Sequence, residues 1–423
     1  MFPAPSSPPH ASTPPPIDGS QVVLIGVGVV GSAIADAHLN AKQGFILADQ
    51  SAECIARAAQ HWSQAGHQIE SHRFALSELH AIEVTPGGEQ AASEQAASEQ
   101  AASEQAASEQ AASEQAAGQQ PTLFIESIVE DLAAKQTLFN QIIQHYGRDI
   151  VLGSNTSTLR IGEIASGTEH PELLCGMHFF MPVYNRLGVE VVRAKDSAHS
   201  VCSQASTHVR RLCKMPIECG DGPGFVINRM LCTYLNQALL LLCRGSNAAQ
   251  IQRVSIAYGM PLSPLELIDW IGSRTMFRAG RAFTNAFPGR LDASPVVPGM
   301  VKRGLLGRQT GQGLYQYDDR GKRSAELSPK AVELIETYRT DNRDFTDAEV
   351  LFLLAIPMWI EAQGILAEGL IDSLDSIDHA MVGGLGFQSD LPWSGLFAEL
   401  GSDTVSAAIE QWQSSFASMR WPQ

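Results

Sequence analysis

The seven cysteines of this 423-residue chain include no Cys-x-x-Cys pair. That absence, with the odd count, leaves no structural zinc motif and points to a reducing compartment. Cations are scarce too: 29 Lys and Arg stand against 45 Asp and Glu, a net charge of −16. This argues against a nucleic-acid groove or an anionic membrane surface as partner. Long hydrophobic runs are missing. The longest, 350–360, falls short of the roughly 20 residues a bilayer requires and is followed by Glu361. Residues 1–19 hold seven prolines among Ser, Thr and Ala, with neither a basic start nor an apolar centre. They read as a disordered tail (1–20), not a signal peptide. A cytoplasmic location is the expectation.

What is present is ordinary for a soluble globular protein, with 44% hydrophobic and 17% charged residues. The length implies two or three domains. Order begins at Gln21. Val22-Val-Leu-Ile25 reads as an apolar strand, followed at once by Gly26-Val-Gly28-Val-Val-Gly31 and a helical run to about Lys42. This is the dinucleotide fingerprint in its required setting of strand, tight turn and helix. Gly26 permits the turn, Gly28 admits backbone to a pyrophosphate, and Gly31 lets the helix sit close to the sheet. The helix N-terminus offers free amides to phosphate. A second strand, Phe45-Ile-Leu-Ala48, ends in Asp49, placed to meet the adenosine ribose and to repel a 2′-phosphate. The expected cofactor is therefore NAD. The other reading is a glycine-rich turn that binds nothing.

Residues 51–81 read as a helix and a short connection, and Ile82-Glu-Val-Thr85 as a third strand. From Glu89 the unit Glu-Gln-Ala-Ala-Ser runs five times, then breaks at Gly118. A five-residue period builds no apolar stripe on a helix, so this insert, 89–118, reads as an expanded crossover, solvated helix or disordered. Leu123 to Ile125 is expected as strand four, then a helix carrying Lys135, and Asp149-Ile-Val-Leu152 as strand five.

Beyond that strand lie Ser154-Asn-Thr-Ser-Thr-Leu159, Gly176-Met-His-Phe-Phe-Met-Pro182 and Gly188-Val-Glu-Val-Val192. Residues 173–177 and 188–192 read as strands. A hydroxyl (Ser157), an imidazole (His178) and a carboxylate (Glu190) so arranged can build a base, its orienting acid and a hydrogen-bond donor around one substrate atom. Taken alone, His178 and Glu190 are equally a satisfied half-buried pair. A helical half begins near Gly224. Ile227, Leu231, Leu235, Ala238 and Leu242 recur at helical spacing, and Arg244-Gly245 closes that helix. Asn228 sits at its start, facing a cleft or acting as a cap. A second helical unit starts at Thr346-Asp-Ala-Glu349, a capping-box pattern.

Several of these segments, in this order, resemble the 3-hydroxyacyl-CoA dehydrogenase family, the oxidoreductases of fatty-acid β-oxidation. The carriers are 154–159, 176–182, Asp221-Gly-Pro-Gly-Phe-Val-Ile-Asn-Arg229, 264–272 and Gly383-Gly-Leu-Gly-Phe387, across residues 21–317 and more loosely 345–405. The resemblance implies an α/β Rossmann-type NAD-binding domain (21–217) followed by two all-α C-terminal domains (218–335 and 336–423). It implies an acyl-CoA substrate oxidised at its hydroxyl, in lipid metabolism. His178 would be the base, Glu190 its orienting acid, and Ser157 and Asn228 the donors to substrate oxygens. Glu130 and Lys135 match positions near the nicotinamide, although they read equally as a surface ion pair.

Three departures stand out. Met181 replaces an Asn close to the cofactor, and Gln309 replaces a Lys, with Arg308 adjacent as compensation. The family's basic helical hairpin for CoA is missing, leaving Arg57, His61, His67, His72 and Arg73 as candidates. A free hydroxy acid as substrate, or cofactor binding with weak catalysis, are the alternatives. Shifting the first helical unit by 124 residues puts Ala238, Leu242, Gly245 and Gly259 on Ala362, Leu366, Gly369 and Gly383, while Asn228 falls on Phe352. The expectation is a duplicated, structural second unit, and a monomer by that duplication or else a homodimer.

Overall fold

The computed structural model describes residues 21–72, 74–76, 78–87 and 121–422. The expectations for the tail, the repeat insert and Arg73 lie outside the described residues. The first half is a nine-stranded sheet in the order β3-β4-β2-β1-β5-β6-β7-β8-β9. Its strands are β1 (Gln21–Ile25), β2 (Phe45–Asp49), β3 (Gln68–His72), β4 (His80–Thr85), β5 (Pro121–Glu126), β6 (Val151–Ser154), β7 (Leu174–Phe179), β8 (Gly188–Arg193) and β9 (Met215–Gly220). β2, β1, β5, β6 and β7 run parallel, β8 turns back against β7, and β9 runs parallel to β8. The expected third strand is β4, antiparallel to β2. β3 and β9 go beyond the expectation. Residues 51–81 are therefore not only helix and connection.

Helices needed below are α1 (Val29–Asn40), α2 (Ala52–Gln64), α3 (Leu132–Tyr146), α4 (His199–Arg211), α5 (Ile227–Cys243) and α6 (Asp347–Ala367). Alternation along the strands sorts side chains between two cores. Val22, Leu24, Leu47, Val151, Met177, Val189 and Val191 face α1, α2 and α4. Val23, Ile25, Phe124, Leu152, Leu174 and Val192 face the other way, into a core continuous with the helical half. The even-numbered His178 and Glu190 fall on that second face. Sequence period thus aims both polar groups at the helical half.

α5 starts and stops where its pattern predicts, with Arg244 as C-cap and Gly245 at φ +115°. α6 opens with the complete Thr346–Glu349 capping box. At 21 residues α6 is long and apolar enough by composition to cross a bilayer, but it packs in the core against α5 and carries the buried Glu361. The 350–360 run is thus part of a longer element than its own length suggests. β9 runs through the expected 217/218 division, and helix Pro329–Thr337 runs through 335/336. The expected all-α unit 218–335 also carries a two-stranded antiparallel sheet, Tyr315–Tyr317 with Arg323–Leu327, and so is not all-α.

Candidate active site

The glycine turn is built by collisions that only glycine avoids. Gly26 has φ +101°, and a Cβ there would meet the Ser127 carbonyl oxygen at 2.7 Å. A Cβ on Gly31 would strike the Gly26 carbonyl. Around Gly28 there is open space. Ser51 caps α2 and Asp131 caps α3, whereas α1 has Gly28 at its N-cap and no side-chain cap. Its first amides are thus left for an anion. Asp49 closes the turn: its two oxygens accept from the amides of Val27 and Ser51, each at 2.7 Å. The carboxylate retains lone pairs for hydroxyl donors. These residues fit a dinucleotide.

Next to this turn, β5 and β6 end in a buried cluster. Lys135 is 1% exposed and its Nζ lies 2.8 Å from both oxygens of Glu126, which also accepts from the Ser154 hydroxyl. The reading of Lys135 as part of a surface ion pair is corrected: its main partner is Glu126, and Glu130 lies 3.4 Å away. Glu130 instead ties down the loop after β6. One of its oxygens accepts from the Thr156 hydroxyl (2.6 Å), the Thr158 hydroxyl (2.7 Å) and the Ser157 and Thr158 amides. Burial alone would raise its pKa. The hydroxyls of Thr156 and Thr158 and the Lys135 charge outweigh that and hold it below the usual value.

His178 and Glu190 are directly opposed residues of the antiparallel β7–β8 pair, so the register itself brings imidazole and carboxylate together. Nδ1 of His178 lies 2.7 Å from an oxygen of Glu190. A carboxylate accepts, so Nδ1 carries the proton and Nε2 keeps its lone pair in the neutral ring. Nε2 has no hydrogen-bond partner among the described residues. Phe180 and Phe225 pack on the imidazole, at centroid distances of 4.9 and 5.8 Å.

Sequence reasoning missed what holds the acid. The second oxygen of the fully buried Glu190 accepts from the backbone amides of Val226 (3.0 Å) and Ile227 (2.9 Å), at the start of α5. No side-chain type marks such donors; the predicted helix start near Gly224 was their only trace. Asn228 follows. It is not a cap, because its Nδ2 donates across the cleft to the Ser157 carbonyl at 3.3 Å. Asn155 links the same loop to β7 by accepting from the Phe179 amide at 2.8 Å. His178, Glu190, Asn228 and Ser157 are thus one connected set. A base with an oriented lone pair can take a proton from a positioned hydroxyl.

Other candidates do not converge. Arg57 and His61 line a cleft between α1 and α2, whereas His72 lines a separate one with His80 and His145. His67 accepts from the Gly87 amide. Met181 is exposed. Arg308 stacks on the Trp270 ring at 3.7 Å and donates to the Gly321 carbonyl, so its described partners lie outside the 307–315 loop.

The chain matches the family model for 3-hydroxyacyl-CoA dehydrogenase, NAD binding domain, over residues 21–222, and that for 3-hydroxyacyl-CoA dehydrogenase, C-terminal domain, over 224–317. The fatty acid oxidation complex subunit alpha of Pseudomonas aeruginosa (strain UCBPP-PA14) is 30% identical over 269 residues, 63% of this chain. The chain spans only 38% of that relative's length. Two solved structures share the fold. The 3-hydroxybutyryl-CoA dehydrogenase of Escherichia coli K12 has a TM-score of 0.70 at 22% identity, covering 96% of this chain and 97% of its own. The dehydrogenase part of multifunctional enzyme 1 from C. elegans has a TM-score of 0.59 at 22% identity, covering 94% and 86%. With a glycine turn shaped for NAD leading into a helical C-terminal domain, and both halves matched in order, this chain belongs to the 3-hydroxyacyl-CoA dehydrogenase family of NAD-dependent oxidoreductases that act on CH–OH groups.

Proposed function

We propose that the protein oxidises L-3-hydroxyacyl-CoA to 3-ketoacyl-CoA in the cytoplasm, with His178 as general base. The observation that carries this reading is the His178–Glu190 pair, with Nε2 unpartnered among the described residues and Glu190 held by the turn that bonds Asn228 to Ser157. NAD, when bound, accepts the hydride from the hydroxyl-bearing carbon. Nε2 takes the hydroxyl proton as the C–O bond becomes a carbonyl, and Glu190 stabilises the resulting imidazolium through Nδ1–H. Asn228 and Ser157 orient the substrate oxygens. Glu126, Lys135 and Glu130 fix the loops at the nicotinamide end, and Gly26, Gly28, Gly31 and Asp49 hold the adenosine diphosphate end. In the reverse assay with acetoacetyl-CoA and NADH, His178→Gln lowers kcat by about 10²–10⁴-fold, while the NADH Kd stays within about threefold of wild type. A variant with wild-type kcat overturns the assignment.

A second reading, a free hydroxy acid as substrate, is favoured by one feature. Residues 52–85 contain no lysine, and their described Arg57 and His61 line one cleft while His72 and His80 line another. Turnover of free hydroxy acids without turnover of any acyl-CoA decides for it. The second helical unit is read as a structural copy of the first, covering the face that a dimer would otherwise bury. Sedimentation as a monomer supports this, and a dimer built through residues 220–310 overturns it.

A further inference from the structure

The first turn of α5 does three things at once. It presents two amides to Glu190, it places Asn228 against Ser157, and it buries Arg229 completely. Arg229 reaches away from the cleft into the second helical unit. Its Nε donates to Glu361 at 2.7 Å, its Nη1 to Glu368 at 2.6 Å, and its Nη2 contacts both carboxylates. Arg290 braces the same two acids at 3.2 and 2.9 Å, and the Phe287 ring lies against both guanidinium groups. Both acceptors belong to α6 or its C-cap. Ile227 also packs on Gly384, where an added Cβ would stand 2.8 Å from its side chain.

We infer that Arg229, held by Glu361 and Glu368, is a positioning residue for the His178–Glu190 pair, so that the second helical unit completes the site although it contributes no group to the cleft. The inference rests on the catalytic reading above. Its physical basis is the planar fork. Three nitrogens bonded to two carboxylates fix the guanidinium in rotation as well as position, which a single ammonium cannot do. With Arg229 fixed, the turn cannot roll about the α5 axis, and the amides of Val226 and Ile227 stay on the Glu190 oxygen. A roll of the order of an ångström would release them, and displacements of that size at a reacting centre cost up to about 10²-fold in rate.

The test follows two readouts in Arg229→Lys: kinetics with acetoacetyl-CoA and NADH, and the far-downfield proton resonance of His178 Nδ1–H, assigned by its loss in His178→Gln. The expected result is a fall in kcat of about tenfold or more, with the KM for NADH unchanged and the resonance shifted upfield or broadened away. Wild-type kcat with an unmoved resonance overturns the inference. If wild type turns over no acyl-CoA but the resonance is lost in Arg229→Lys, the catalytic reading fails and the positioning role stands. If Arg229→Lys does not fold, Glu368→Gln decides, since Glu368 is partly exposed. It should move the same resonance and lower kcat by a few-fold, and no change in either overturns the inference.

Discussion

In the α/β half, His38 of α1 and His208 of α4 meet Nε2 to Nε2 at 3.0 Å, both buried. In the helical half, Arg229 and Arg290 meet Glu361 and Glu368, again around a buried centre. The histidines solve burial by tautomer. Nδ1 of His38 lies 2.8 Å from the Ile34 carbonyl and must donate, so its Nε2 accepts and His208 Nε2–H is the donor. Burial lowers the His38 pKa to about 4, and burial together with His38 and Arg211 pushes His208 well below its usual value. The arginines and glutamates solve it by counter-charge. Burial would raise Glu368, but the hydrogen bonds and charges of Arg229 and Arg290 hold it below the usual range. A neutral pair tolerates loss of a partner and fails in acid. The compensated ionic set is the costlier one to break by removing a partner, and with Glu368 held low it loses its stability only in stronger acid.

The largest effect expected from this contrast is Glu361→Leu, which leaves Arg229 and Arg290 facing one carboxylate and should lower the unfolding free energy by about 3–5 kcal/mol. Urea denaturation measures it, and a loss under about 1 kcal/mol breaks the comparison on the ionic side. The histidine side is tested by pH. Unfolded histidine takes a proton near 6.5 whereas folded His38 waits until about 4, so the unfolded chain binds more protons in that window. Stability present above pH 6.5 is therefore lost as pH falls, by roughly 2 kcal/mol between pH 7 and 5. The double variant His38→Leu/His208→Leu should flatten that dependence of the urea midpoint. An unchanged slope breaks the comparison here.

Asp269 sharpens it, being a buried acid with no ion-pair partner among the described residues. Its oxygens accept from the Leu314 and Tyr315 amides at 2.7 and 2.8 Å. Burial lifts its pKa to about 6 against those hydrogen bonds. The folded chain therefore holds this proton longer than the unfolded one. Its contribution is present below pH 3.8 and is lost as pH rises through about 6, opposite in sign to the histidines. Asp269→Asn should remove this opposing slope and, by leaving an amide unpaired, cost about 1–2 kcal/mol in the urea midpoint. Smallest is Thr346→Ala on the exposed capping box of α6, about 1 kcal/mol by thermal melting, a control outside either cluster.

Legibility followed the same division between local pattern and distant pairing. The turn at Gly26, the apolar strands around it and Asp49 were readable because each is encoded within a few neighbouring residues. Glu190 was readable on its strand and His178 just past the end of its own, but a period of two does not say which strands pair or in which direction. The register that opposes them was therefore invisible. β3 escaped because Gln68-Ile-Glu-Ser-His72 has one apolar residue, an edge-strand composition. β9 escaped because Pro216 reads as a break, and the sheet accepts it because β9 is an edge. Lys135 was misjudged because Glu126, its partner, lies one residue past the expected end of its strand. Arg229 left no mark at all, since its acceptors stand 132 and 139 positions away.

The grip on Glu190 by main-chain N–H groups has a genetic consequence. Because every residue but proline supplies that donor, codon changes at Val226 and Ile227 can alter the buried packing around this turn while the amides that hold the acid persist.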